Sequence, residues 1–417
     1  MIDERDKQLA DLQTVLAVSR DLVAATELKP LLERIQIAAL TVLGCERATV
    51  FLYDREANEL YSRVATGVDE IRLSADQGIA GEVARTGEVV HVDDAYTDAR
   101  FNREIDRRTG FRTRNMIAFP LVGFDDTIVG VLQVLNKKSG TFDAWDRRLV
   151  ETLGAQIGVV VQRQLLLEQY AEKQRIQADL SIARGIQQAL LPKQAPEIPG
   201  FDIAGWNQPA DETGGDCYDF YMLEDGSAAV TIADATGHGV GPALMIAECR
   251  ALFRATILLS RDLAHVAGLI NNLLCDDLPS DRFVTAFFGL VSGSGGSIKF
   301  LSAGQGPLIK YERRTADFTE LKADMFPLGI MRDQTFAAPD EFVMEPDDMM
   351  VLVTDGFTEW TDARREQFGI QRVCQVIREH RDGRSAEIIK RLHEAVVSFA
   401  GGTHQADDLT AVIVKKL

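Results

Sequence analysis

From Trp145 to Leu191 the chain runs without a proline, and this stretch divides it in two. Within it Leu153, Ile157, Val160, Gln164 and Leu167 form one helical seam. After a polar stretch from Glu168 to Arg175, the 3-4 spacing resumes at Ile176, Leu180, Ala183, Gln187 and Leu190. The spacing predicts helix throughout. At 1.5 Å per residue, about 45 residues reach roughly 65 Å, too far to lie on one small domain. Two arrangements answer that length. One is a two-stranded coiled coil that makes a dimer and joins two domains. The other is a broken helix with a part packed on each domain. Pro192, Pro196 and Pro199 end the helix and mark a boundary.

The flanking segments read differently. Residues 1 to about 43 are helical in pattern, with Leu9, Leu12, Leu16, Leu22, Val23, Leu31, Leu32, Ile35 and Val42 at helical intervals and Pro30 near a second start. Apolar runs bounded by turn residues follow at Ala48–Tyr53, Leu60–Val64, Val89–Val92, Met116–Val122 and Ile128–Asn136. They predict an antiparallel sheet, with Asp125-Asp126 as a hairpin turn. Past Pro199, strands are expected at Ala228–Ala233, Phe283–Val291, Ser297–Ser302, Leu308–Tyr311, Asp348–Val353 and Thr410–Val414. Helices are expected at Gly241–Leu258, Leu263–Leu274, Gln371–Glu379 and Ser385–Phe399. That mixture predicts a layered α+β fold. With 417 residues, more than one core is expected.

The net charge of −18 argues against nucleic acid or an anionic membrane as partner. Five dispersed cysteines with no C-x-x-C pair fit reduced thiols. No apolar run is long enough to span a bilayer, and no signal peptide is evident, so a cytoplasmic location is expected.

Chemistry concentrates in five short motifs of the second half. They are Gly214-Gly215-Asp216, Asp234-Ala235-Thr236-Gly237-His238-Gly239, Ala303-Gly304-Gln305, Thr354-Asp355-Gly356 and Asp407-Asp408-Leu409-Thr410. A lone aspartate after a strand is usually a cap or turn former. Several that converge repel one another unless cations lie between them. Magnesium and manganese take oxygen ligands, and a metal pair can ready water for attack on phosphorus. The motifs therefore predict metal-assisted hydrolysis of a phosphate ester. Cys217 has no histidine near it in sequence and reads as a packed thiol.

Residues from about Ser181 to Leu417 resemble a stage II sporulation protein E-type phosphatase, of the metal-dependent protein phosphatase (PPM, protein phosphatase 2C-like) superfamily. The resemblance rests on Ile186-Gln187-Gln188-Ala189-Leu190-Leu191-Pro192, on Gly214 to Phe220, on Gly237-His238-Gly239, on Pro327-Leu328-Gly329, on Leu352 to Glu359 and on Asp407 to Thr410. It implies an αββα sandwich holding two divalent cations, Mn2+ or Mg2+. Asp216 and Asp234 would hold the pair with the carbonyl of Ala235. Asp355 and Asp407 would hold the second ion, with Asp408 as a substitute. Asp219 would support a water, and His238 would be the general acid toward the leaving serine oxygen. Gln305 stands where the family often has histidine. The implied substrates are phosphoserine or phosphothreonine on a STAS-type anti-anti-sigma protein. The competing reading is an inactive scaffold that binds a partner without turnover.

Residues from about 14 to 165 resemble a GAF domain of the cyclic-nucleotide-binding phosphodiesterase and adenylyl cyclase type. The matching residues are Ala75 to Gly81, Arg100-Phe101-Asn102, Asp106, Thr109 to Thr113, Asn115, Asn136-Lys137, Phe142 and Asp146. The resemblance implies a pocket for a cyclic nucleotide formed by Thr49, Asp106, Thr109, Thr113 and Gln133. The nucleotide would be cAMP or cGMP; Ala65 and Thr66 replace the purine contacts of guanine-selective relatives, which weakens the case for cGMP and leaves cAMP, another ligand or none. An empty domain serving only dimerisation is the other reading. The expected organisation is a sensor over 1–165, a coiled-coil linker over 166–192 and a phosphatase domain over 193–417, assembled as a homodimer.

Overall fold

A computed structural model describes residues 9, 12–17, 20, 22, 24–64, 71–321, 323 and 325–417; the side chains of 105, 108 and 109 lie outside that description. The expectations placed on Val23, Ala65 and Thr66 fall on residues outside it. The chain divides into two compact units, Met1–Arg175 and Ile176–Leu417.

The first unit is built on one antiparallel sheet. Its strands are β1 (Cys45–Asp54), β2 (Glu59–Ser62), β3 (Ile71–Ser74), β4 (Val90–Val92), β5 (Met116–Val122) and β6 (Ile128–Lys137), in the order β3-β2-β1-β6-β5-β4. Alternation along β1 sends Val50 and Leu52 to one core and Phe51 to another. The first core is closed by helix α1 (Leu28–Leu43) through Leu31, Leu32 and Ile35. It is also closed by the start of α4 (Ala144–Leu190) through Leu149, Leu153 and Ile157. α4 lies close to β5 because Gly158 has no side chain; a Cβ there would sit 2.1 Å from the Val122 carbonyl. The second core lies under α2 (Gly78–Thr86), through Ile79 and Val83. A short α3 (Arg103–Thr109) follows β4, its Asn102 cap accepting from the Glu104 N–H.

α4 is one helix of 47 residues. The seam read at Leu153 and Ile157 is spent on the first unit's own core. Further along, Leu166, Leu167, Tyr170, Ile176, Ile182 and Ile186 are exposed.

The second unit stacks two five-stranded antiparallel sheets. One has the order β14-β11-β10-β9-β8 and the other β13-β12-β15-β16-β7. The first contains β8 (Asp216–Met222), β9 (Ala228–Ala235), β10 (Val284–Ser292), β11 (Ser297–Ala303) and β14 (Asp340–Val343). The second contains β7 (Phe201–Gln208), β12 (Leu308–Glu312), β13 (Asp317–Leu321), β15 (Met349–Val353) and β16 (Leu409–Lys416). Tyr218, Val230, Ile232, Phe287, Met350, Leu352 and Val412 fill the space between the sheets. Helices α5 (Val240–Leu259) and α6 (Leu263–Asp277) cover the outer face of the first sheet through Ile246, Phe253 and Ile270. After a one-turn α7 (Asp355–Glu359), α8 (Gly369–His380) and α9 (Ser385–Ala400) cover the second through Val373, Ile377 and Leu392. The layers run α-β-β-α, as the resemblance implied.

Candidate functional site

Strand direction brings the acidic motifs together. Asp216 begins β8 and Asp234 lies near the end of β9, and the two are directly opposite in register. Asp355 follows β15, and Asp407 and Asp408 precede β16, which pairs with β15. In antiparallel ladders these five residues, at four strand ends, share one end of the sandwich.

Asp216 is buried, and its Oδ2 accepts from Thr354 Oγ1 at 2.7 Å and from Thr410 Oγ1 at 2.6 Å. It also shares a side-chain hydrogen bond with Asp234. Burial, and then the carboxylates of Asp234 and Asp408, push the Asp216 carboxyl well above the usual range. Burial, followed by Asp355 and Asp407, pushes Asp234 up to about 8. Burial, Asp407 and Glu359 push Asp355 up to about 6. Asp407 itself is exposed.

Asp408 has a different task. Its Oδ1 accepts from the Ala210 N–H at 2.7 Å and its Oδ2 from the Asp216 N–H at 3.2 Å. Burial raises its carboxyl, while those main-chain donors pull it back. It ties the loop before β8 to the start of β16. Gly214 is required at this crossing, because a Cβ there would lie 2.2 Å from Asp408 Oδ2. The same glycine is clamped from the end of α4: Gln187 Oε1 accepts its N–H at 3.0 Å and Gln187 Nε2 donates to its carbonyl at 2.6 Å. Ala235 closes β9, with its N–H on the Gly215 carbonyl at 2.9 Å. Beyond it, Arg282 Nη1 donates to the Thr236 carbonyl at 2.8 Å and props the loop carrying His238. That histidine is 86% exposed, its Nδ1 lying 3.2 Å from Asp211 Oδ2. Gln305 is buried and accepts from Thr285 Oγ1 at 2.9 Å, a structural contact beside Asp234.

Asp219 is not at this site. It stands three residues from Asp216, and on a strand that spacing points to the opposite face. There it is buried against α5, bound by both Arg254 nitrogens facing it and 3.0 Å from Arg250 Nε. Cys217 shares that face, and burial raises its thiol. It is a packing residue.

The donor set fits hard cations. Several carboxylates meet with no lysine or arginine paired to Asp216, Asp234 or Asp355 among the described residues. Among those residues no three Asp, Glu, His or Cys side chains close into a ready-made cage. Such a spread leaves room for a hard divalent cation that keeps waters beside few protein ligands.

The first unit holds a cavity of about 580 Å³, lined in part by Gln77, Arg100, Asn102, Asp106, Thr113 and Gln133. Its charges are already paired. Asp106 is buried and accepts from the Thr113 N–H at 2.7 Å, from Thr113 Oγ1 at 2.8 Å and from Tyr96 Oη at 3.1 Å. Arg100 is held by Glu82 and Asp98. Thr49 lies across from Gln133 in the ladder but is not among the lining residues. The side chain of Thr109 lies outside the described residues. Asn136 and Lys137 brace the fold: Asn136 Oδ1 accepts from the Arg114 N–H, and Lys137 pairs with Asp146.

The sequence reading passed over Thr354, Thr410, Asn207 and Gln187. The first two lie inside the acidic motifs and the last inside the Ile186–Pro192 stretch, so the motifs carried the signal.

Two family models match the chain: one described as Stage II sporulation protein E (SpoIIE) over residues 224–416, the other as GAF domain over residues 27–161. The SpoIIE match begins after Asp216, so the register opposite Asp234 is what brings that residue in. The phosphoserine phosphatase RsbU of Bacillus subtilis is 26% identical over 246 residues, 58% of this chain and 72% of that protein. The probable 3',5'-cyclic phosphodiesterase pde-5 of Caenorhabditis elegans is 31% identical over 137 residues, 30% of this chain but only 19% of that protein. Among solved structures, the SiaA-PP2C domain of Pseudomonas aeruginosa superposes with a TM-score of 0.51 at 24% identity, over 59% of this chain and 99% of that one. That likeness concerns the fold.

Proposed function

We propose that this chain, a GAF domain joined to a SpoIIE-type domain of the PPM superfamily, is a metal-dependent protein serine/threonine phosphatase controlled by what its GAF domain binds. The observation that carries the reading is the meeting of Asp216, Asp234, Asp355 and Asp407 at one end of the sandwich, where burial and neighbouring carboxylates raise the first three. Asp216 and Asp234 would hold the cation pair with the Ala235 carbonyl, and Asp355 and Asp407 would hold the second ion. Bound there, Mn2+ or Mg2+ would supply charge for the phosphate and an activated water. His238, on an open loop, would give a proton to the departing serine oxygen.

The substrate in this reading is a phosphoserine or phosphothreonine on a folded regulatory protein of the STAS type. The GAF cavity would take a cyclic nucleotide through hydrogen bonds and apolar contact, because its charged groups are internally paired. The organisation is a sensor over 1–165, a linker over 166–192 and a catalytic domain from 193. The apolar side chains left exposed on α4 would pair two copies. The Gln187 clamp on Gly214 offers the linker a direct hold on the loop that leads to Asp216. Among the described residues no helix is long and apolar enough to cross a membrane, and the proposed place of work is the cytoplasm.

Hydrolysis of para-nitrophenyl phosphate with Mn2+ tests the core of the reading. Asp234→Asn should lower the rate by at least about 10²-fold. A wild-type chain with no metal-dependent turnover on this ester or on phosphoprotein would instead be a scaffold. Calorimetry with cAMP and cGMP tests the sensor; no heat with either leaves the GAF domain a dimer module.

A further inference from the structure

Asp216 stands on the first sheet of the sandwich, while Thr354 and Thr410 belong to the second. The two threonines meet because β15 and β16 are neighbours: the Thr354 N–H donates to the Thr410 carbonyl at 3.0 Å, and the Thr410 N–H donates to Thr354 Oγ1 at 3.0 Å. Both side chains are buried, at 1% and 0% exposure. Each hydroxyl has one proton to give. Thr354 Oγ1 already accepts from a main-chain N–H, and Thr410 Oγ1 already accepts from Asn207 Nδ2 at 2.8 Å. Asp216 Oδ2 is the nearest acceptor for both protons, at 2.7 and 2.6 Å; the Asp408 carbonyl is the other acceptor near Thr354 Oγ1, at a longer 3.4 Å. Both hydroxyls thus engage Oδ2 and leave Oδ1 as the oxygen they do not occupy.

We infer that Thr354 and Thr410, with Asn207 behind them, are positioning residues that fix the Asp216 carboxylate so that a single oxygen is presented to a cation. The inference rests on the reading of this end of the sandwich as a metal site. The network acts across the two sheets, so it also sets how far Asp216 stands from Asp355. Free rotation of the Asp216 carboxylate would have to be stopped on each binding event; the buried threonines stop it beforehand. Partners of this kind behind a ligand are worth about 10- to 100-fold in metal affinity.

The experiment is calorimetric titration of the full chain with Mn2+ alone, beside far-ultraviolet circular dichroism. Thr354→Val and Thr410→Val should each weaken Mn2+ binding by about tenfold or more, whereas Thr354→Ser and Thr410→Ser, which keep the hydroxyl, should stay within about threefold of wild type. Valine variants that fold and bind Mn2+ as wild type overturn the inference and leave the metal site standing. A wild-type chain that takes up no Mn2+ overturns both. Should the valine variants fail to fold, Asn207→Ala decides. It is expected to fold and to bind Mn2+ about threefold more weakly; folded Asn207→Ala with unchanged affinity overturns the inference.

Discussion

Asp216 and Asp219 are buried on the same strand, three residues apart, in opposite electrostatic settings. On the helix side, Asp219 meets two arginines and is satisfied. On the side between the sheets, Asp216 is raised by burial and then by Asp234 and Asp408, with no cationic side chain among the described residues to offset them. The cavity of the first unit repeats the Asp219 pattern, with Asp106 satisfied by three donors. A buried carboxylate with its own cations or donors is part of the architecture. One crowded by its own kind is left for something positive to complete. Burial alone does not separate the two; the company does.

Exchanging the two acids should therefore cross their effects. Asp216→Asn should abolish most Mn2+-dependent hydrolysis, a loss on the order of 10²-fold or more, while the metal-free chain melts no lower than wild type. Asp219→Ala should do the reverse. It strands Arg250, whose side chain is 10% exposed, and loosens Arg254, and breaking a buried pair costs about 3 kcal/mol. Mn2+ affinity measured below the melting transition should change by no more than about threefold, as expected away from the ligands. Equal losses of metal binding in the two variants would erase the distinction.

His238 carries the comparison to the rim, where exposure replaces burial. A general acid matters when the leaving group is poor. His238→Ala should slow phosphoserine hydrolysis by about 10²-fold and leave para-nitrophenyl phosphate, whose leaving group needs no proton, nearly unchanged. Equal slowing of the two substrates would assign the histidine to holding its loop.

The sequence reached the layers of the second unit through its strongly apolar strands, such as the Asp348–Val353 run that contains β15 (Met349–Val353), and through the amphipathic α8 and α9. It did not reach β8. The segment Asp-Cys-Tyr-Asp-Phe-Tyr-Met mixes acids with aromatics and shows no apolar run, although both its faces are buried. Without that strand the opposite facing of Asp216 and Asp219 was out of sight, so nothing in the sequence stood against the metal-site role that the resemblance implied for Asp219. Edge strands β3, β13 and β14 escaped because their side chains are largely exposed and leave little pattern. The cavity was legible only in part: Asp106, Thr113 and Gln133 line it, yet which hydroxyl serves a ligand and which serves Asp106 depends on a contact seven residues apart in sequence. The acidic end was more legible because each of its residues sits in a short motif at a strand end.

The smallest expected effect is a pH dependence, and its sign follows from burial and crowding together. Asp234 is pushed up to about 8 and Asp355 up to about 6 in the folded chain, against an ordinary aspartate near 4. A carboxyl whose folded value is raised binds its proton more tightly when folded. Its contribution to stability is thus fully present below the unfolded value and is lost as pH climbs through the folded one. In metal-free buffer the second unit should melt progressively lower between about pH 5 and pH 8.5, whereas Asp234→Asn, with no such proton to lose, should fall less. By about pH 8.5 the variant should melt higher than wild type by about 3 °C, roughly 1 kcal/mol in a unit of this size. Excess Mn2+ should then lift wild type and leave the variant behind, because ions that bind only the folded, ionised cluster stabilise it by mass action. Asp219→Asn offers the control: its carboxylate is held by arginines, so its melting curve should run parallel to wild type across the same range. Parallel curves for Asp234→Asn as well would mean that the carboxylates between the sheets are no more strained than the one behind them.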